Sequence, residues 1–299
     1  MKDGVLLVDK GEGMTSFDVV GKIRRLYGTK QVGHTGTLDP MATGLLTVLV
    51  GRAVKASEYL TEHDKSYKAT LKLGLTTDTE DISGKVLTQS SDIPSADEVK
   101  RACQGFVGNI KQIPPMYSAL KRDGKKLCDL AREGVEIERE PRDITVYSLT
   151  VTETDKNDEY ILDVSCSKGT YIRTLCADIG ESLGCGGVMS ALRRTSVGEF
   201  SLENAKTLTE LENLTESERE ALLLETESLF FEYKKVVLPD FFARLSNSGC
   251  EIYLKKLGID LNEGERVRLH DKNGFFSLGE VKNYESGMAI KPIKKFRIE

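Results

Sequence analysis

The chain has 299 residues, 39% hydrophobic and 30% charged, the balance of a soluble globular protein with one large or two modest domains. Its opening, MKDGVLLVDK, lacks the apolar core of a signal peptide, and no run approaches the ~18 apolar residues of a membrane span, so the cytoplasm is the expected compartment. The net charge of −5 is unevenly spread: residues 201–232 hold 9 acids and 2 bases, whereas 233–299 hold 13 bases and 9 acids. Binding to phosphates depends on where positive charge lies, so the global value excludes little, but composition alone points to no polyanionic partner either.

In chain order, Val5-Leu6-Leu7-Val8 is an apolar run expected to form a buried strand. Thr15 opens a capping-box pattern with Asp18, and Val19, Val20, Ile23, Leu26 and Tyr27 follow at helical spacing up to a stop at Gly28. GHTGTLDPMATG, residues 33–44, holds three glycines and a proline and is expected to be a shaped loop. Leu45–Val50 reads as a second buried strand. Tyr67, Ala69, Leu71 and Leu73 alternate with polar residues as in a half-buried strand. Ser95 and Glu98 form another capping box, before a helix whose apolar face is Val99, Ala102, Cys103 and Phe106.

Residues 119–143 are short of large apolar side chains and carry charges of both signs, which marks an excursion from the core. Tyr160, Leu162, Val164 and Cys166 alternate again, and the chain then turns at Lys168-Gly169 into a helix carrying Ile172, Leu175, Cys176, Ile179 and Leu183. The acidic stretch 201–232 is expected to be a solvated helical bridge between two parts. From about residue 236 short β-like runs, 265–269 and 275–281, separated by turns, indicate a small β-rich module.

Six cysteines include no CxxC pair, and with three histidines they assemble no zinc-type ligand set; reduced, mostly buried thiols are expected. GxGxxG and GxxxxGK[ST] are both absent, so ATP and NAD use is not supported. The most informative stretch is GHTGTLDP. A carboxylate in a loop held by Gly36 and Pro40 suits a group that must meet a substrate atom within tenths of an ångström. Taken locally, Asp39 reads as a turn-opening Asp-Pro, His34 as a structural hydrogen-bonder, and Tyr67 as a half-exposed strand tyrosine. In SKGTYIRTL, Arg173 follows a glycine turn near a helix start, where it can hold a loop carboxylate ionised; the bland alternative is a surface arginine.

Together these stretches resemble the bacterial tRNA pseudouridine-55 synthases of the TruB family. The resemblance rests on GVLLVDKGEGMTSFDVV, VGHTGTLDPMATGLL, KSYKATLKLGLTTDTED, IPPMYSALKRDGKKLCDLAREG, CSKGTYIRTLCADIGESLG and ALRRTSVGEF, in the family's order from residue 4 to residue 200. It implies an α+β fold: a mixed, mostly antiparallel sheet flanked by helices, residues 1–235, followed by a small PUA-like RNA-binding module, 236–299. Asp39 stands at the family's catalytic aspartate. Arg173 would ion-pair with it, Tyr67 of the K-x-Y motif would stack on the target uracil, and Lys10 would support the site. His34 and Tyr171 would contact the flipped nucleotides, Leu192 would line the uracil pocket, and residues 119–143 would clasp the RNA.

The implied reaction breaks the N1–C1′ bond of uridine 55 in the T-arm of tRNA and forms C5–C1′ after base flipping. It is an isomerisation needing no cofactor and no metal. Asp39 would attack C1′ or uracil C6, or remove the C2′ proton; the residues do not choose among these. A tRNA-binding protein acting mainly by opening the tRNA elbow is the alternative reading. A monomer with tRNA as partner, and neither a membrane nor a nucleotide cofactor, is expected.

Overall fold

A computed structural model describes residues 3–59, 63–118, 120–122 and 124–297. Of the segments singled out in the sequence, Ala119 and Asp123 in the excursion, and the first two and last two residues, lie outside the described residues.

Strand β1 (Gly4–Lys10) leads to helix α1 (Ser16–Leu26), then β2 (Val32–Thr35), β3 (Thr43–Val50) and β4 (Lys65–Leu73). Helix α2 (Ala96–Gln104) precedes β5 (Gly108–Gln112), β6 (Arg142–Glu153) and β7 (Glu159–Cys166). Helix α3 (Ile172–Ser182), β8 (Gly187–Val197), β9 (Lys206–Thr207) and α4 (Leu208–Asn213) complete the larger body. Its sheet runs β9-β1-β3-β8-β4-β7-β6-β5, with β2 added against β3. Pairing is antiparallel except at β1–β9 and β3–β8.

Local sequence explains these elements. Thr15 Oγ1 accepts the Asp18 amide at 3.1 Å, and the Asp18 carboxylate accepts the Thr15 amide at 2.8 Å, closing the capping box that starts α1. Gly28, with φ 59°, ends that helix in a conformation favouring glycine. The apolar runs of β1 and β3 do not alternate because both faces of the sheet are covered there. Leu6, Val8, Leu46 and Val48 face a core shared with α1, α3 and α4. Val5, Leu7, Leu45 and Leu49 face a second core containing Phe230, Leu278 and Phe296. Each fully buried leucine contributes about 1.5–3 kcal/mol. By contrast β4 and β7 carry one core face and alternate.

The C-terminal sheet runs β10-β12-β13-β14-β11 in space. Its members are β10 (Lys234–Val237), β11 (Ile252–Tyr253), β12 (Arg266–Asp271), β13 (Gly274–Tyr284) and β14 (Gly287–Lys295). Helix α5 (Asp240–Asn247) covers it, with Val236, Val267, Leu269, Phe276, Val281 and Ile290 in its core. At the joint between the two sheets, the Phe230 ring lies 5.4 Å from that of Phe296 and 6.0 Å from those of Tyr233 and Phe275. The whole is an α+β protein with a mostly antiparallel main sheet, helices on its face and a β-rich C-terminal sheet.

Two expectations need correction. Residues 33–35 are not loop: Gly33, His34 and Thr35 pair with Leu49, Val48 and Thr47 of β3, so the irregular stretch shrinks to 36–42. Residues 201–232 are not a solvated helical bridge. They break into short pieces, one of them β9, and Leu208, Leu211, Leu223, Leu229 and Phe230 are buried against the two cores. Their glutamates mask the apolar contacts because several of them, Glu210 and Glu218 among them, serve as capping partners at short helix starts.

The excursion between β5 and β6 holds a two-residue hairpin, Lys121–Arg122 with Lys125–Lys126, and a helix, Leu127–Arg132. Among the described residues no helix is long and apolar enough to cross a membrane. Cys103, Cys166, Cys176 and Cys185 are buried, Cys128 is half-buried and Cys250 is exposed, all as free thiols.

Candidate active site

The loop 36–42 connects two strands of the main sheet, and side chains from three directions hold it. The Leu38 amide donates to Ser16 Oγ at 2.9 Å, at the start of α1. The Pro40 carbonyl accepts from the Gly13 amide at 2.8 Å and from Lys10 Nζ at 3.3 Å. Lys10, fully buried at the end of β1, also donates to the Met14 carbonyl at 2.7 Å and the Gly11 carbonyl at 2.9 Å. Burial pushes its ammonium pKa down, and the nearby Asp39 charge opposes that shift. Lys10 therefore ties the loop to the sheet, consistent with support of the site.

Within the loop, the Asp39 carbonyl accepts the Ala42 amide at 3.0 Å. The Asp39 side chain is 38% exposed, and its Oδ2 lies 3.1 Å from Nε of Arg173, which is 8% exposed. Every edge of the Arg173 guanidinium is used: Nη1 donates to the Thr79 carbonyl at 3.1 Å and Nη2 to the Tyr117 carbonyl at 2.7 Å. The Asp81 carboxylate stands 3.9 Å from Nη1. A planar fork locked in this way can present its Nε to a carboxylate without reorganising.

Arg173 is placed by the entry to α3. Tyr171 is the residue before the helix, and Gln112 at the end of β5 clamps its backbone on both sides: the Tyr171 amide donates to Gln112 Oε1 at 2.8 Å, and Gln112 Nε2 donates to the Tyr171 carbonyl at 3.0 Å. Burial raises the Tyr171 phenol pKa, with Arg142 and Arg173 opposing and Asp39 adding to the rise. Tyr67 on β4 is 8% exposed. Burial raises its pKa foremost; the neighbouring Arg194 opposes the rise and Asp39 adds to it. Lys10 reaches the loop through the Pro40 carbonyl, Tyr67 is the register partner of Arg194, whose side chain bonds the Gly36 carbonyl, and Tyr171 stands two residues before Arg173.

His34 stands on β2, half-buried, with Nδ1 lacking a hydrogen-bond partner among the described residues. Burial, reinforced by Arg194, lowers its pKa and favours the neutral ring. Leu192 on β8 is buried in the apolar cluster that holds Leu38 and Tyr67. The structure brings Asp39, Arg173, Tyr67, Tyr171 and Lys10 together, with His34 and Leu192 on the adjoining strands.

Sequence reasoning passed over two residues. Gln112 lies in β5, a strand that the sequence reading does not single out. Arg194 lies in the ALRRT stretch from which Leu192 alone was taken. It is 1% exposed, and its side chain reaches the loop that carries Asp39. Among the described residues no group of three or more His, Cys, Asp and Glu side chains is placed to hold a metal ion.

Residues 24–172 match the model of the TruB family pseudouridylate synthase N-terminal domain, and residues 173–239 that of the tRNA pseudouridylate synthase B C-terminal domain. A tRNA pseudouridine synthase B of Alkaliphilus oremlandii strain OhILAs is 45% identical over 298 residues, 99% of this chain and 98% of that protein. The chain belongs to the TruB family of pseudouridylate synthases. Another tRNA pseudouridine synthase B, from Neisseria gonorrhoeae strain FA 1090, is 44% identical over 274 residues, 92% of this chain and 88% of that protein. Among solved structures, a Cbf5-Nop10-Gar1 complex contains a chain with a TM-score of 0.72 and 26% identity, covering 98% of this chain and 85% of that one. The two family models end at residue 239, so most of the C-terminal sheet of this TruB-family chain lies beyond them.

Proposed function

We propose that this chain isomerises uridine to pseudouridine in tRNA, at position 55 in the T-arm, with Asp39 as the catalytic residue. The observation that carries the reading is the Asp39–Arg173 contact of 3.1 Å, in which a rigidly held guanidinium meets a carboxylate that stays 38% exposed. Paired with a guanidinium and reachable, Asp39 is equipped to act on the sugar or the base. The reaction breaks N1–C1′ and forms C5–C1′; the proton lost from C5 is balanced by one gained at N1, so nothing is consumed.

The target base has to leave its stack, at a cost of roughly a few kcal/mol. Stacking on Tyr67 returns about 1–3 kcal/mol of it. His34 and Tyr171 flank the flipped nucleotides, Leu192 lines the uracil pocket and Lys10 supports the loop. Residues 119–143 clasp the RNA. We divide the chain into a catalytic domain, 1–235, and a PUA-like RNA-binding module, 236–299, acting as a monomer in the cytoplasm.

The test is Asp39→Asn. Pseudouridine formation, followed by tritium release from C5-labelled tRNA, is expected to fall by about 10³-fold or more, with tRNA affinity retained. Release at the normal rate overturns the catalytic assignment. Mapping pseudouridine in total tRNA from cells with and without the protein tests the position: loss elsewhere than at 55 overturns the specificity.

A further inference from the structure

Among the described residues Arg194 is the largest fully buried side chain, and no carboxylate among them pairs with it. Its neighbours include two further cations, Lys10 and Lys65. A guanidinium in such a place carries a large desolvation cost, and an apolar side chain of similar volume would fill the space at less cost. The bonds it makes show what it does instead. Nε donates to the Leu45 carbonyl at 2.8 Å, and Nη2 donates to the Gly36 carbonyl at 3.1 Å. Gly36 opens the loop that carries Asp39, and Leu45 lies near the start of strand β3 that follows it, so one planar group joins the start of the catalytic loop to the strand that leaves it.

The backbone of Arg194 adds to this. It is the register partner of Gly44 in the short parallel pairing of β3 and β8. Gly44 has φ 98°, and a Cβ there would stand 2.3 Å from the Arg194 carbonyl oxygen. On the other side Arg194 is the register partner of Tyr67. Loop ends, Tyr67 and β8 therefore converge on this one residue.

We infer that Arg194 is a positioning residue that staples the start of the 36–42 loop to the strand β3 that follows it, and so sets where Asp39 meets its substrate. The inference rests on the reading of Asp39 as catalytic. A lysine at this position keeps the charge and reaches one carbonyl but not both; a methionine keeps neither bond.

The experiment compares wild type with Arg194→Lys and Arg194→Met, by steady-state kinetics on unmodified tRNA and by amide hydrogen exchange read over segments. The expected result is a fall in kcat of about 100-fold for Arg194→Met and about tenfold for Arg194→Lys, with KM within about twofold of wild type. Exchange should quicken over 36–44, at the Leu38 and Ala42 amides, with α1 and α3 as protected as before. Wild-type kcat with unchanged loop exchange in Arg194→Lys overturns the inference, as does faster exchange spread over the whole chain. Should Arg194→Met fail to fold, Arg194→Lys carries the test alone, being close in size and equal in charge. Fast loop exchange in the Arg194 variants together with an active Asp39→Asn leaves the staple standing and overturns the catalytic reading instead.

Discussion

Asp39 and Glu227 each meet basic side chains, and they do so differently. Asp39 has one, Arg173, and stays 38% exposed. Glu227, in the short turn between the two sheets, takes two basic side chains on the same oxygen, Arg268 Nη1 at 2.9 Å and His270 Nε2 at 2.8 Å, with the glutamate side chain 19% exposed. The Glu227 network fastens that turn to β12, beside the aromatic cluster around Phe230. In the first case the cation is locked by carbonyls and the carboxylate is left reachable. In the second the carboxylate is enclosed by its partners. An ion pair by itself says little about function; which member remains open separates a site from a joint.

Substitutions at the two places should therefore fail in opposite ways. Arg173→Met removes the group that orients Asp39, and pseudouridine formation should fall about 10²–10³-fold in single-turnover assays. Retained activity would break the comparison at its functional end. Next in size is Tyr67→Leu, which removes a ring face worth about 2 kcal/mol of base stacking, or roughly 30-fold in the use of tRNA. Tyr67→Phe keeps the ring, so it should recover KM; any remaining loss in kcat then reports on the hydroxyl. At the other end, Glu227→Gln should cost about 1–2 kcal/mol in a denaturant titration, the pair being partly solvated, with kcat per folded molecule unchanged. Lost activity at full stability would show that the joint also belongs to the site.

The same contrast explains what could be read from the sequence. Strands with one covered face, β4 and β7, alternate and are legible, and β1 and β3, covered on both faces, stand out as apolar runs. Strand β8 was hidden because Arg193 and Arg194 break its apolar pattern, although Arg194 is buried. Strand β6 was hidden because Ile144, Val146 and Leu149 are its only fully buried residues over twelve positions. Asp39 and Arg173 were legible through their motifs, yet nothing local showed that Nε is the edge that meets the carboxylate. Gln112 and Arg194 act through backbone carbonyls and amides, and such bonds leave no partner pattern in a sequence.

The smallest expected effect concerns a fourth cation near the loop, after Lys10, Arg173 and Arg194. Lys65, the first residue of β4, is pushed down from 10.5 to about 8, chiefly by burial and next by the Arg194 charge. Its ammonium donates to the His63 carbonyl at 2.5 Å. The unfolded chain keeps this proton up to pH 10.5 and the folded chain releases it near 8, so between those values the unfolded state binds more protons. Stability must then rise with pH across that window as far as Lys65 is concerned. Lys65→Met removes the strained charge. It should be more stable than wild type at pH 7 by under about 1 kcal/mol, solvent screening having reduced the effect, and the gap should close as pH approaches 10. Denaturant midpoints of both proteins at pH 7 and pH 9.5 decide it. A gap that stays constant or widens would mean that Lys65 is charged without strain, and that the cost of burying charge beside this loop falls on Lys10 and Arg194, both of which bond its backbone.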